Sequence, residues 1–253
     1  MRSLTRLFRV SVPLFCLGFA PVALVRADPE TLAKARAYVG SEETLDGVKG
    51  LRFVGQLEIV GADTPEAGTA QLEILFQKPD RQRITATNGS KTEITALDGY
   101  DAWQRVSDSA DNAKWQVTLL GPDQIKRLRA NTFENLAFYK DIGRQGGRIE
   151  DRGPATVDGV ACRKLAFVHG PGIVFTRSFE VATGRLVLTE TESGTAIREE
   201  GEIKAGGLRF PARIITTNPL GDGTNRTIRV TFTSVEVNPA IDSALFAIPP
   251  LTN

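Results

Sequence analysis

The sequence predicts a mostly β protein, a single domain built on one strongly curved antiparallel sheet or barrel. Three observations carry this. Apolar and polar residues alternate with period two through about eleven short segments, the signature of half-buried strands. Turn signals recur about every 8–12 residues. Only two stretches, near residues 28–39 and 123–139, carry helical periodicity.

The first residues read as an export signal. Arg2, Arg6 and Arg9 form a basic start without acids, and Val10 to Val25 is apolar over the length of a signal core, too short for a comfortable span. Val25-Arg26-Ala27 fits a cleavage site, so residues 1–27 are predicted to be removed and 28–253 to form the mature domain. Cys16 follows Phe15, where a lipidated cysteine needs a small residue, which argues against lipidation there. The mature 226 residues carry 27 basic and 30 acidic side chains, a net charge of −3 that argues against a nucleic-acid partner. Cys162 is then the only cysteine, in an apolar strand, and reads as a buried inert thiol with no disulfide to form.

Taken in order, Asp28–Tyr38 is predicted as a helix capped by Asp28 and ended by Gly40, with Leu32, Ala35 and Val39 on one face. Leu51–Val60 follows as a strand with Leu51, Phe53, Leu57 and Ile59 inward, then a loop over Ala62–Gly68. Thr69 to Trp103 is predicted as a meander. Ala70, Leu72, Ile74 and Phe76 share one face, Pro79 breaks the ladder because it has no N–H to donate, and Ile84 and Ala86 face inward on the next strand. Asn88-Gly89 and Asp98-Gly99 are hairpin turns. Trp103–Val106 and Trp115–Leu119 pair across the polar loop Ser107–Ala113. The strong internal helix, Asp123 to Tyr139, lines Ile125, Leu128, Phe133, Leu136 and Ala137 along one face, with Lys126, Arg127 and Arg129 as a solvated basic side.

Strands are then predicted at Arg148–Asp151, Ala161–Val168, Ile173–Val181, Leu186–Glu192, Ala196–Ile203, Leu208–Thr217, Thr227–Val237 and Ala244–Ile248. In Thr227–Val237 the apolar phase slips from Ile228, Val230 and Phe232 to Val235 and Val237, which predicts a β-bulge near Ser234.

No catalytic, metal or cofactor motif emerges. His169, the sole histidine, lies beside a Gly-Pro-Gly turn and reads as an exposed turn residue. The acids Glu190, Glu192, Glu199, Glu200 and Glu202 read as a solvated outer face, with a paired-carboxylate hydrolase as the sharper alternative. Asn88-Gly89-Ser90 and Asn225-Arg226-Thr227 fit glycosylation sequons but are ordinary turns.

Five features in order resemble the outer-membrane lipoprotein carrier family, the LolA/LolB-like periplasmic proteins. They are the signal with a short first helix, the Phe76-to-Arg83 strand end with its Lys78-Pro79 step, and Leu97-Asp98-Gly99 followed by Trp103. Gly207-Leu208-Arg209-Phe210-Pro211 and the tail Ile241 to Pro250 complete the set. The resemblance implies an incomplete, strongly bent barrel with helices covering its concave face, and an apolar cavity for lipid or lipoprotein acyl chains. It implies a periplasmic non-enzyme without cofactor, whose partners are acyl chains and lipoprotein-handling proteins of the envelope. Where that family has an arginine that helps hold the lid, this chain has Lys78, which keeps the charge but not the planar fork.

The predicted ligand wall is Phe53, Leu57, Leu72, Ile74, Phe76, Phe210, Ile214 and Phe232 from the strands, and Leu128, Phe133 and Leu136 from the helical lid. Lys78 and Arg83 flank the Pro79 break as the cavity mouth. An envelope sensor or scaffold on the same fold is the alternative function.

Overall fold

The computed structural model describes residues 29–60, 68–108, 111, 114–170 and 172–250. The predicted signal, the Asp28 cap, most of the Ala62–Gly68 loop, part of the Ser107–Ala113 loop and Pro171 lie outside the described residues. Two helices open the chain, α1 (Pro29–Val39) and α2 (Glu42–Asp46). The second is an unpredicted restart: Gly40 stops α1, and Ser41 then caps α2 by accepting the Thr44 N–H at 3.2 Å. Six strands follow: β1 (Gly50–Val60), β2 (Thr69–Gln77), β3 (Arg81–Asn88), β4 (Lys91–Asp98), β5 (Asp101–Asp108) and β6 (Trp115–Leu119). Helix α3 (Pro122–Ala137) comes next. Nine more strands complete the chain: β7 (Arg148–Val157), β8 (Val160–Gly170), β9 (Ile173–Glu180), β10 (Leu186–Thr191), β11 (Ala196–Glu200), β12 (Ile203–Ala205), β13 (Leu208–Phe210), β14 (Arg213–Pro219) and β15 (Asn225–Val237).

Thirteen of the described strands form one antiparallel sheet in the order β6-β5-β4-β3-β2-β1-β15-β14-β11-β10-β9-β8-β7. The sheet curves without closing, an incomplete barrel whose free edges are β6 and β7. These edges are consecutive in the chain apart from α3, so α3 must cross from one edge to the other. Curvature has local causes. Val54 pairs with Ser234 and Gly55 with Phe232, leaving Thr233 as an extra residue, the bulge expected near Ser234. A Cβ on Gly55 would lie 2.3 Å from the Thr231 carbonyl, so the bulge requires glycine there. Registers also shift at β7–β8, β8–β9 and β9–β10.

Three predicted strands are corrected. Ala196–Ile203 divides into β11 and β12 at Gly201, which turns the chain at φ +66°. Leu208–Thr217 divides into β13 and β14 because Pro211 offers no N–H to a ladder. The freed segments β12 and β13 pair as a separate hairpin that drives Leu208 and Phe210 into the core. Ala244–Ile248 is a 3₁₀ turn at Ser243–Leu245, not a strand. The Asp242 carboxylate accepts the Ala244 N–H at 2.9 Å and competes with strand pairing, and one anchor, Phe246, is fully buried. Trp103 donates its indole N–H to the Phe246 carbonyl at 2.9 Å, so this tail covers the convex face.

Two cores flank α3. One gathers Phe53, Leu72, Phe76, Leu136, Phe138, Phe210 and Phe232 on the concave face of the β1 half. The other gathers Ala35, Ala130, Leu165, Phe167, Phe175 and Phe179 on the β8–β9 half. The lid is therefore fixed to both halves of the sheet.

Candidate binding cavity

Between α3 and the concave sheet lies a cavity of about 290 Å³. Its apolar wall follows from register. Phe53 pairs with Ile74 and Ile74 with Ile84, and Ile214 faces the same side two strands away. Phe53 is the centre of this wall, with Phe76, Phe210 and Phe232 ring centroids at 6.2, 5.5 and 5.1 Å. Edge-on and tilted contacts of this kind fix the rings as a firm surface. Of the predicted wall, Phe53, Ile74, Phe76, Phe210, Ile214 and Phe232 line the cavity. Leu72 and Leu136 lie in the core beside it and Leu57 packs against that core.

The lid presents different residues from those its periodicity picked out. Asn131, Glu134, Asn135 and Phe138 face the cavity. Phe133 turns towards the other core and meets the His169 ring at 5.8 Å, and Leu128 is half-buried outside the cavity wall. Polar anchors rotate the helix this way. Asn131 and Thr132 both donate to Oε1 of buried Gln82, at 3.1 and 3.0 Å, and Arg129 pairs with Asp80 at 2.9 Å. The far end is set by Arg36 of α1, which donates to the Phe138 carbonyl at 2.7 Å and places its charge at the helix C-terminus. Phe138 and Tyr139 then leave the helix in the left-handed region, φ 48° and 68°, and this uncommon backbone turns Tyr139 into the cavity.

Of the predicted mouth residues, Lys78 is exposed near the α1–α2 charges, and burial of its stem lowers its pKa. Arg83 neighbours Ile84 on β3 and so points to the convex face, opposite the cavity.

A buried ionic group missing from the predicted site completes the lid contact. Glu134 of α3 bonds His169 Nε2 through one oxygen at 2.5 Å and Arg177 through the other. The predicted exposed histidine is thus corrected: the His169 side chain is 6% exposed, because β8 runs on through Gly170 and His169 shares the inward parity of Leu165 and Phe167. Burial alone would raise the Glu134 pKa, but the charge of Arg177 and the bonds from both partners outweigh it and hold the carboxyl below its ordinary value. Arg177 is packed over the rings of Phe167, Tyr139 and Phe175, 4.7 to 5.8 Å from their centroids.

The acidic cluster separates. Glu190 and Glu192 pair with Lys164 and Arg127, and Glu200 and Glu202 with Arg213 and Arg209. Glu199 faces the cavity, opposite Ile214 in the β11–β14 ladder. Burial pushes its carboxyl up to about 7, against a smaller downward pull from Arg177. Parity carried the signal for these residues: Phe175, Arg177 and Phe179 alternate, as do Ile197 and Glu199. Among the described residues no group of three or more His, Cys, Asp or Glu could hold a metal ion.

No protein-family model matches the sequence, and no curated protein matches it. Solved structures do. A DUF1329 family protein from Desulfovibrio piger superposes with a TM-score of 0.57 at 12% identity, covering 87% of this chain and 96% of that one. A LolA superfamily protein from Nitrosomonas europaea matches at 0.57 and 13%, covering 87% and 97%. A putative outer membrane lipoprotein-sorting protein domain from Vibrio parahaemolyticus matches at 0.54 and 10%, covering 86% and 96%. The fold is therefore LolA-like, as the resemblance implied.

Proposed function

From this LolA-like fold, we propose that the chain is a periplasmic carrier or binding protein that holds an acyl chain of a lipid or lipoprotein under α3. The observation that carries the reading is the aromatic cavity between α3 and the concave sheet. Beside the core that α3 packs, part of the apolar face is left lining about 290 Å³, at the lower edge of the usual size for ligand pockets. The cavity wall binds, Glu134 and its partners hold the lid, and the protein acts by binding, not turnover. Periplasmic placement rests on the basic, apolar start of the sequence and on the lipoprotein-sorting neighbour.

Two measurements test this. The organic extract of purified mature protein should contain a stoichiometric lipid by mass spectrometry. Ile214→Trp, which fills the cavity, should weaken binding of a fluorescent fatty acid at least tenfold while the thermal midpoint moves little. Lipid-free protein with Ile214→Trp indistinguishable from wild type would favour a protein-binding scaffold. The exported form should begin at Asp28, and N-terminal sequencing of a persistent full-length form would remove the export assignment.

A further inference from the structure

The cavity has a polar neighbour. A second space of about 520 Å³ lies beside it, bounded by α1, the β9–β10 turn and the segment after β11. The two share seven lining residues, among them Tyr139, Glu199, Arg209 and Pro211, so they form one cleft with an apolar inner chamber and a charged vestibule. Tyr38, Arg185, Glu200 and Glu202 belong to the vestibule side.

At the junction the charges do not balance pair by pair. Arg177 bonds Glu134 through Nη1 while its buried Nε has no partner, Arg185 pairs with Glu180 at 3.3 Å, and Arg209 with Glu202 at 2.6 Å. Glu199 has no hydrogen-bond partner among the described residues, although it stands in an inward row with Ile197 and Ile214. Its carboxyl is half-buried and lines both spaces, so a ligand in the cleft can reach it with a donor. The inner chamber is also small. Taking about 30 Å³ for a water-sized group, it holds about ten methylenes, one short chain and not several.

We infer that the occupant is a single-chain amphiphile whose tail fills the inner chamber and whose head, uncharged or cationic, donates a hydrogen bond to Glu199. The inference rests on the carrier reading and adds the class of head group. An anionic head would meet Glu199, Glu200 and Glu202 together, where Arg185 and Arg209 are already paired with Glu180 and Glu202. A hydroxyl or amine would supply the missing donor.

The test is competition against a neutral apolar dye, N-phenyl-1-naphthylamine, with the full mature chain. Three competitors share one ten-carbon tail: decanol, decylamine and decanoate. The assay runs at pH 8, above the value of about 7 that burial sets for Glu199, so that the carboxylate is charged. Decanol and decylamine are expected to displace the dye at concentrations at least tenfold below decanoate, and Glu199→Gln is expected to reduce that ratio to about threefold or less. Decanol ahead of decylamine identifies a neutral head, and the reverse order a cationic one; either supports the inference. Equal displacement by all three in the wild type, or a preference that survives Glu199→Gln, overturns the inference while leaving an acyl-binding cavity. Failure of the dye and of all three competitors to bind overturns the carrier reading and the inference with it.

Discussion

Replacing Arg177 with methionine is expected to lower the unfolding free energy by about 3–5 kcal/mol, because it removes one partner of a buried ion pair and leaves Glu134 charged in the core. The Arg177 and Glu134 side chains are only 10% and 3% exposed. Their attraction is therefore little screened, and an orphaned Glu134 keeps only His169 and the cavity beside it. Methionine keeps most of the volume and the ring contacts, so the loss reports the charge and not a hole. Glu134→Gln in the same background should restore about half of it, since the amide removes the uncompensated charge and can still meet His169. Urea titration of the two single variants and the double variant measures the coupling directly. A loss under about 1 kcal/mol, or no recovery in the double variant, would mean that the pair is hydrated. The wild-type pair also carries an acid limit. The Glu134 pKa is depressed in the folded state, so its contribution is present above the unfolded value near 4.5 and is lost as pH falls through the folded one. Because Glu134 ties α3 to both His169 of β8 and Arg177 of β9, acid should release the lid from that half of the sheet first.

Sequence legibility followed the physics of each element. Period-two alternation in β1 to β5 had one reading, since a half-buried strand permits only one inward parity, and Phe53, Ile74 and Phe76 stand in the cavity wall as parity required. Helix α3 was legible as a helix but not in its rotation. Its apolar residues Ile125, Leu128 and Phe133 outvote Glu134 in any hydrophobic count, yet Gln82 and Arg177 on the sheet fix which side faces inward. Those partners lie 50 and 43 residues away along the chain, so no local window contains them. His169 was misplaced for a related reason: its neighbours Gly170 and Gly172 signal a turn, while pairing with β9 extends β8 past it and keeps it in the inward row of Leu165 and Phe167. The break at Pro211 was readable from proline chemistry alone, but the tail at Phe246 needed Trp103 on a distant strand to show what it anchors.

Glu199→Gln is expected to stabilise the protein at pH 8 and to leave it unchanged near pH 4.5, the reverse of what a surface carboxylate would do. The sign follows from the direction in which the fold moves this carboxyl. In the unfolded chain this glutamate titrates near 4.5; in the folded chain burial raises it to about 7, with Arg177 opposing. Between those values the folded state holds the proton that the unfolded state has lost, so unfolding becomes easier as pH rises. The contribution is fully present below 4.5, declines through the interval and is gone above 7. Each tenfold change in proton affinity corresponds to about 1.4 kcal/mol, so the whole interval is worth on the order of 3 kcal/mol. That figure is an upper bound, since Glu199 still touches the cavity. For a chain of this size it corresponds to a midpoint gap of roughly 6–12 °C at pH 8, closing towards zero at pH 4.5. Glu134 and the surface pairs titrate identically in both proteins and cancel from the difference. Paired thermal scans from pH 4.5 to 8 measure the gap. One that stays flat with pH would put Glu199 in contact with bulk solvent and remove the basis for its role at the head-group junction. A gap that opens between pH 5 and 7 and then shrinks when decanol is added would tie the same carboxylate to both stability and cargo, because a bound donor lowers the cost of its charge.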